Sequence, residues 1–228
     1  MSTVHGNWYQ STWPTVSRGN STWHFDNSKA PEPGVDSYTS VGRVQFPDNW
    51  QQQVDPASTT TAAWKRLIAA TPDHELQHTL TQNLQDVGQD PEQGMFDTIN
   101  ISHLDVAHAL ATQLGLQHSI TRLHIQRPGQ LLNIHIDDLA EINQNPAEIR
   151  RFIVAVTDWC PGQIFQFGNA VWSQWRAGDC VTWSWKDIPH GSANFGWQDR
   201  PMIQITGYTT SLTQQLVSQA NSEQLITL

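Results

Sequence analysis

The sequence predicts a mainly β fold, a sandwich or barrel of short strands with helices packed outside it. Three observations carry this reading. Short apolar runs recur from Thr121 to Tyr208, each the length of a strand. Turn signals built on Gly, Pro, Asn and Asp separate them every dozen or so residues. Eleven tryptophans in 228 residues supply the large side chains that a β-rich core buries.

The elements follow in chain order. Residues 1–58 are rich in Ser, Thr, Asn, Pro and Trp, with a turn signal at Pro31-Glu32-Pro33-Gly34, and Val41 to Phe46 reads as a short strand. Thr61 to Ala70 carries Trp64, Leu67 and Ile68 at helical spacing, and Ser102 to Leu116 repeats that spacing. Ser102 with Asp105 resembles a capped helix start. Arg122-Leu123-His124-Ile125-Gln126 alternates as a strand does, Arg127 to Gln130 is a turn, and Leu131 to Ile136 begins the next strand. Arg151 to Val156, Ile164 to Phe167, Asp179 to Trp185 and Pro201 to Tyr208 read as further strands. Turns are expected at Pro161-Gly162, Gly168-Asn169, Gly178-Asp179 and Gly191, and Ser211 to Leu225 as a closing helix. Repeats and linkers are absent, so residues 1–228 are expected to form one domain. Within it, 1–120 would pack on a core of 121–210, and 211–228 would close it.

Bulk composition excludes several functions. The net charge is −9, and residues 67–121 hold no Lys or Arg. Clustered cations grip phosphate backbones, so nucleic acid is not the expected partner. Two cysteines, Cys160 and Cys180, make no disulfide framework and point to a reducing, cytoplasmic setting. The start MSTVHGNWYQ does not read as a signal peptide, and no apolar run approaches a membrane span.

Chemistry enters with His135-Ile136-Asp137. Alternate residues on a strand project to one face, so this triplet can aim an imidazole and a carboxylate at one metal. Non-haem iron is held by two His and one carboxylate, with the opposite positions open. His190 follows Asp137 by 53 residues, after several β-like segments, and is the expected second His. His24-Phe25-Asp26 and His103-Leu104-Asp105 share the triplet, so it says little by itself. The former sits among turn residues and the latter at a helix start, where positions i and i+2 diverge. Arg200, ten residues beyond His190, opens a strand and offers a guanidinium fork for a carboxylate.

RPGQLLNIHID, RRFIVAVTDW, WRAGDCVTWSW and PHGSANFGWQDRPMIQITG together resemble 2-oxoglutarate/Fe(II)-dependent oxygenases. The nearest branch is that of the aspartyl/asparaginyl β-hydroxylases and bacterial proline hydroxylases. The resemblance spans Arg122 to Tyr208. It implies a double-stranded β-helix core, a jelly roll like that of cupins. It also implies Fe(II), O2 and 2-oxoglutarate, which is cleaved to succinate and carbon dioxide as a C–H bond is hydroxylated. His135, Asp137 and His190 would be the catalytic metal ligands; Arg200, Arg151 and Asn133 would contact the co-substrate. Halogenating relatives have a small residue where Asp137 stands, so Asp137 implies hydroxylation. Nucleic-acid demethylases of the superfamily carry a second Arg where this chain has Thr206. A cupin-like metal-binding protein without oxygenase activity would share the histidines but need no Arg200.

A second metal motif competes. His74-Glu75-Leu76-Gln77-His78 matches HExxH, in which a helix presents two His to zinc and the Glu acts as base. It follows Pro72-Asp73, at a helix start, and Asp97 is the nearest third ligand. Leu76, Leu80 and Leu84 explain the segment as an amphipathic surface helix, irrelevant to catalysis. Arg150 and Arg151 open a strand, so one should face inward. An inward Arg in an acidic protein favours a small molecule or peptide side chain with an acidic or amide group as substrate.

Overall fold

The computed structural model describes residues 16–18, 21–23, 38–63, 74–86, 94–137 and 148–228. The early strands are β1 (Val16–Arg18) and β2 (Ser21–Trp23), which pair with each other, and β3 (Thr39–Gln45). Next come β4 (Thr60–Ala63), helix α1 (His74–Asp86), β5 (Gly94–Asn100) and helix α2 (Asp105–Gln113). The central run is β6 (Leu116–Gln126), β7 (Leu131–His135), β8 (Ile149–Ala155), β9 (Gln163–Phe167) and β10 (Ala170–Trp172). β11 (Asp179–Thr182), β12 (His190–Asn194), β13 (Arg200–Thr209), helix α3 (Ser211–Ser218) and β14 (Leu225–Thr227) complete it.

One sheet has the order β14-β3-β11-β8-β13-β6-β5-β4, and a smaller one β10-β9-β12-β7. From β6 to β13 the chain passes back and forth between them. Within this run every pairing is antiparallel. That alternation is the double-stranded β-helix, or jelly roll. The sheets face each other across Ile149, Ile153, Val181 and Met202 from the large one and Phe165, Phe167 and Trp172 from the small one. The other face of the large sheet, with Phe152, Val154, Ile203 and Ile205, packs under α2 and α3 through Leu110 and Leu216. β8 is therefore buried on both faces, which explains its unbroken apolar run after Arg151.

Several expected turns hold, with Gly162, Gly168 and Gly178 at positive φ. Gly178 cannot carry a side chain, because a Cβ there would collide with the Val44 carbonyl oxygen. Asp179 follows and accepts from Arg43 Nε and the Arg176 amide, both at 2.8 Å, which ties β11 to β3.

Four expectations are corrected. Thr61 to Ala63 lie in β4 and pair with β5, which had not been anticipated; the rest of that supposed helix, with Trp64, lies outside the described residues. α2 starts at Asp105 with Leu104, which has no side-chain acceptor, at the N-cap, so the helix has no side-chain cap; Ser102 lies two residues earlier and its Oγ accepts from the Thr121 amide at 2.9 Å. Gly191 is inside β12, paired with Gln166, and is not a turn. The closing helix ends at Ser218, and Leu225 belongs to β14, parallel to β3.

Candidate metal and anion site

β7 ends at His135 and β12 begins at His190, and the two are cross-strand partners with ring centroids 4.5 Å apart. Asp137 lies just past the strand end, on the same side as His135, while Ile136 between them points into the core at 1% exposure. His135 Nε2 is 3.6 Å from Asp137 Oδ1, and His190 Nε2 is 3.4 Å from Oδ2. One donor atom from each lies within 4.8 Å of the others, and this is the one such cluster among the described residues. Bonds of about 2.0–2.2 Å to a shared metal put neighbouring donors roughly 3–3.5 Å apart, so the set fits an ion with small adjustment.

The electrostatics favour ligation. Burial pushes the His190 pKa down to about 3, so its imidazole is neutral near pH 7 with a lone pair to give. Burial alone would raise the Asp137 pKa, but His190, Arg151 and His135 together hold it well below the usual carboxylate range. Metal ligation needs these protonation states, neutral imidazole and ionised carboxylate. Arg151 Nη1 donates to Asp137 Oδ2, and its Nε donates to Thr206 Oγ1 at 3.0 Å. Arg151 thus shares Oδ2 with His190, and a guanidinium bonded to a candidate ligand carboxylate fixes its orientation.

Strand alternation decides which groups face this interior. Arg151 points inward from β8 and is 7% exposed, whereas its neighbours Arg150 and Phe152 point the other way. One of the two arginines thus faces in, as expected, but it is bound to Asp137. Arg122, His124 and Gln126 share the inner face of β6 by the same alternation. His124 is driven to a pKa of about 3, first by burial and then by Arg151, Arg122 and Arg200.

Arg200 opens β13 and is 5% exposed. Its Nη2 donates to Gln126 Oε1 at 2.7 Å, and its guanidinium lies 5.4 Å from the centre of the Phe165 ring. Its Nε and Nη1 are buried without a hydrogen-bond partner. Burial pushes its pKa down to about 9, and among the described residues no carboxylate pairs with it. Phe165 also lies near His190, with near-parallel rings and centroids 6.2 Å apart, so one ring neighbours both the Arg200 guanidinium and the candidate metal cluster. Trp183, 4.8 Å from the His190 ring between centroids, likewise leaves its indole N–H unpartnered.

Among the described residues no other sequence candidate joins this cluster. The side chain of Asn133 lies outside the described residues, as do His24 and Asp26. His103 precedes α2 in a turn, and Asp105 is the first residue of that helix. His74, Glu75 and His78 are exposed in the first turns of α1. Asp97 accepts from Thr61 Oγ1 at 2.7 Å and Arg127 Nε at 2.8 Å, which occupies it structurally. Gln126, Phe165 and Trp183 had not been singled out. For Gln126 the signal was available, since it continues the alternation of Arg122 and His124.

No protein-family model matches this sequence, and no curated protein does. Solved structures of low similarity do. A sugar phosphate isomerase of the cupin superfamily from Silicibacter pomeroyi is 13% identical, with 50% of this chain and 60% of that one covered, at a TM-score of 0.34. A predicted oxalate decarboxylase from Thermotoga maritima is 12% identical over 50% and 80% of the two chains, at 0.33. A cupin domain of a transcriptional regulator from Enterobacter cloacae is 11% identical over 51% and 99%, at 0.35. Likeness this weak says nothing about activity. No helix among the described residues is long and apolar enough to cross a membrane.

Proposed function

We propose that this protein is a 2-oxoglutarate- and Fe(II)-dependent dioxygenase that hydroxylates a C–H bond of a small molecule or peptide side chain. The observation that carries this reading is Arg200. A buried guanidinium with two unpartnered nitrogens and no acid paired with it among the described residues is costly unless a ligand supplies the anion. Phe165 neighbours both Arg200 and His190, so such an anion would lie near a group able to bind metal.

His135, Asp137 and His190 present two imidazoles and a carboxylate on one side, the donor set suited to iron(II) with open positions. When bound there, iron supplies the redox chemistry by which O2 cleaves 2-oxoglutarate and oxidises the substrate. The chain's own residues bind, orient and exclude water. Arg200 holds the remote carboxylate of the keto acid, and Phe165, Phe167 and Trp183 keep the space around His190 apolar. Arg151 keeps Asp137 ionised and aimed. A small hollow beside the site is lined by Ile120, Arg122, Arg151, Gln204 and Thr206.

The test is an anaerobic titration of the purified protein with Fe(II) and then 2-oxoglutarate, watched for a visible charge-transfer band. Succinate release is then followed in air with panels of amino acids, peptides and oligonucleotides. The expected result is a band that requires both additions, and stimulation by an acidic or amide small molecule or peptide. Metal binding without any response to 2-oxoglutarate would instead indicate a cupin-like metal protein of other activity. Stimulation confined to oligonucleotides, lost steeply with salt, would overturn the substrate class.

A further inference from the structure

The interior face of β6 ends on Gln126, which is 1% exposed and lies directly across the ladder from Arg200. Its side-chain amide nitrogen is held by two main-chain carbonyls. Nε2 donates to the Met95 carbonyl on β5 and the Ser192 carbonyl on β12, each at 3.3 Å. Its own main-chain oxygen accepts from Asn194 Nδ2 at 2.7 Å. With both amide hydrogens directed to main-chain carbonyls, only Oε1 can face Arg200, and it accepts from Nη2 at 2.7 Å.

We infer that Gln126 is the positioning residue of the anion site: it fixes the plane of the Arg200 guanidinium while leaving the positive charge uncancelled for a carboxylate ligand. The inference rests on the reading of Arg200 as the 2-oxoglutarate anchor. An uncharged acceptor takes one hydrogen of Nη2 and Phe165 covers the guanidinium face, so the other Nη2 hydrogen, with the unpartnered Nε or Nη1 beside it, leaves one two-pronged edge for the incoming carboxylate. A glutamate of the same shape would change both properties. Its carboxylate would compete with the ligand for the same cation, and its second oxygen would face two carbonyl oxygens where an NH2 now sits. An apolar side chain of similar length would keep the charge but release the guanidinium plane. The two substitutions therefore separate orientation from charge.

The experiment is direct binding of 2-oxoglutarate to full-length protein loaded with Mn(II), together with steady-state succinate formation with Fe(II). Gln126→Met is expected to raise Kd and KM for 2-oxoglutarate roughly tenfold, the scale of one charge-assisted hydrogen bond, with kcat nearly unchanged. Gln126→Glu is expected to raise both by roughly a hundredfold or more, since the ligand then meets a neutralised site. Mn(II) affinity should be unchanged in both. A merely structural residue would lower the unfolding midpoint without this split between KM and kcat. Wild-type affinity in Gln126→Glu overturns the inference and leaves the oxygenase reading intact. If Gln126→Met does not fold, the isosteric Gln126→Glu decides alone. A wild-type protein that binds Mn(II) but no 2-oxoglutarate overturns both together.

Discussion

Replacing Arg200 by Met distinguishes a ligand-binding cation from a structural one. Removing one partner of a satisfied buried ion pair costs about 3–5 kcal/mol of stability. Arg200 differs, because its positive charge meets only an amide and an aromatic face among the described residues. The variant loses a charge-assisted hydrogen bond to Gln126, about 1.5–3 kcal/mol. It also loses a cation–π contact of about 0.5–2 kcal/mol. Against this stands relief of the desolvation of an uncompensated charge, an effective penalty of several kcal/mol. The terms oppose, so ligand-free Arg200→Met should lie within about 2 kcal/mol of wild type. Ligand binding should behave differently. Loss of a desolvated charge pair weakens affinity by about 2–5 kcal/mol, or roughly 30-fold to several thousandfold. At 100 times the wild-type Kd, 2-oxoglutarate stabilises the wild type by about 2.7 kcal/mol and the variant by about 0.9 kcal/mol or less. The assay is urea unfolding of Mn(II)-loaded protein with and without 2-oxoglutarate. A ligand-free loss above about 4 kcal/mol, or equal stabilisation of both proteins by the ligand, would refute the reasoning.

Asp137→Ala and His190→Ala should each fold but bind Fe(II) far more weakly and form no succinate; full iron occupancy in the double variant, measured by elemental analysis, would remove the triad assignment. Metal-free protein should weaken in acid. His124 and His190 titrate near 3 when folded but near 6.5 when unfolded, so between these values the unfolded chain binds more protons and stability falls as pH falls. Each histidine contributes a loss of about 2 kcal/mol by pH 5, and His124→Gln should remove its share; urea midpoints that agree at pH 7.5 and 5 would contradict this. Glu75→Gln should retain full oxygenase turnover, because Glu75 is exposed on α1, and zinc-dependent casein cleavage abolished by that change would reverse the ranking of the two metal motifs.

The grouping of His135 with Asp137 was legible in the sequence because strand alternation is a local rule. His135 and Asp137 share a face whatever surrounds them, and the turn glycines at 162, 168 and 178 announce where the chain reverses. The inward direction of Arg151 followed from the same period. What Arg151 touches did not, because Asp137 reaches it across a gap between strands that no spacing encodes. The strand at Thr60–Ala63 was hidden for a similar reason. Three apolar residues at helical spacing lie just beyond it in the sequence, yet pairing with β5 decides the conformation of Thr61 to Ala63. Ser102 had the chemistry of a helix cap, but the helix begins later, with Leu104 at the N-cap, and the Ser102 hydroxyl meets Thr121 on β6. Gln126 is the clearest case: its residue type and position were plain, but its role depends on Met95, Ser192 and Arg200, brought to it from three other strands. Alternation along one strand settles which way a side chain faces, and register between strands settles what it meets, so the face was in the sequence and the partner only in the tertiary structure.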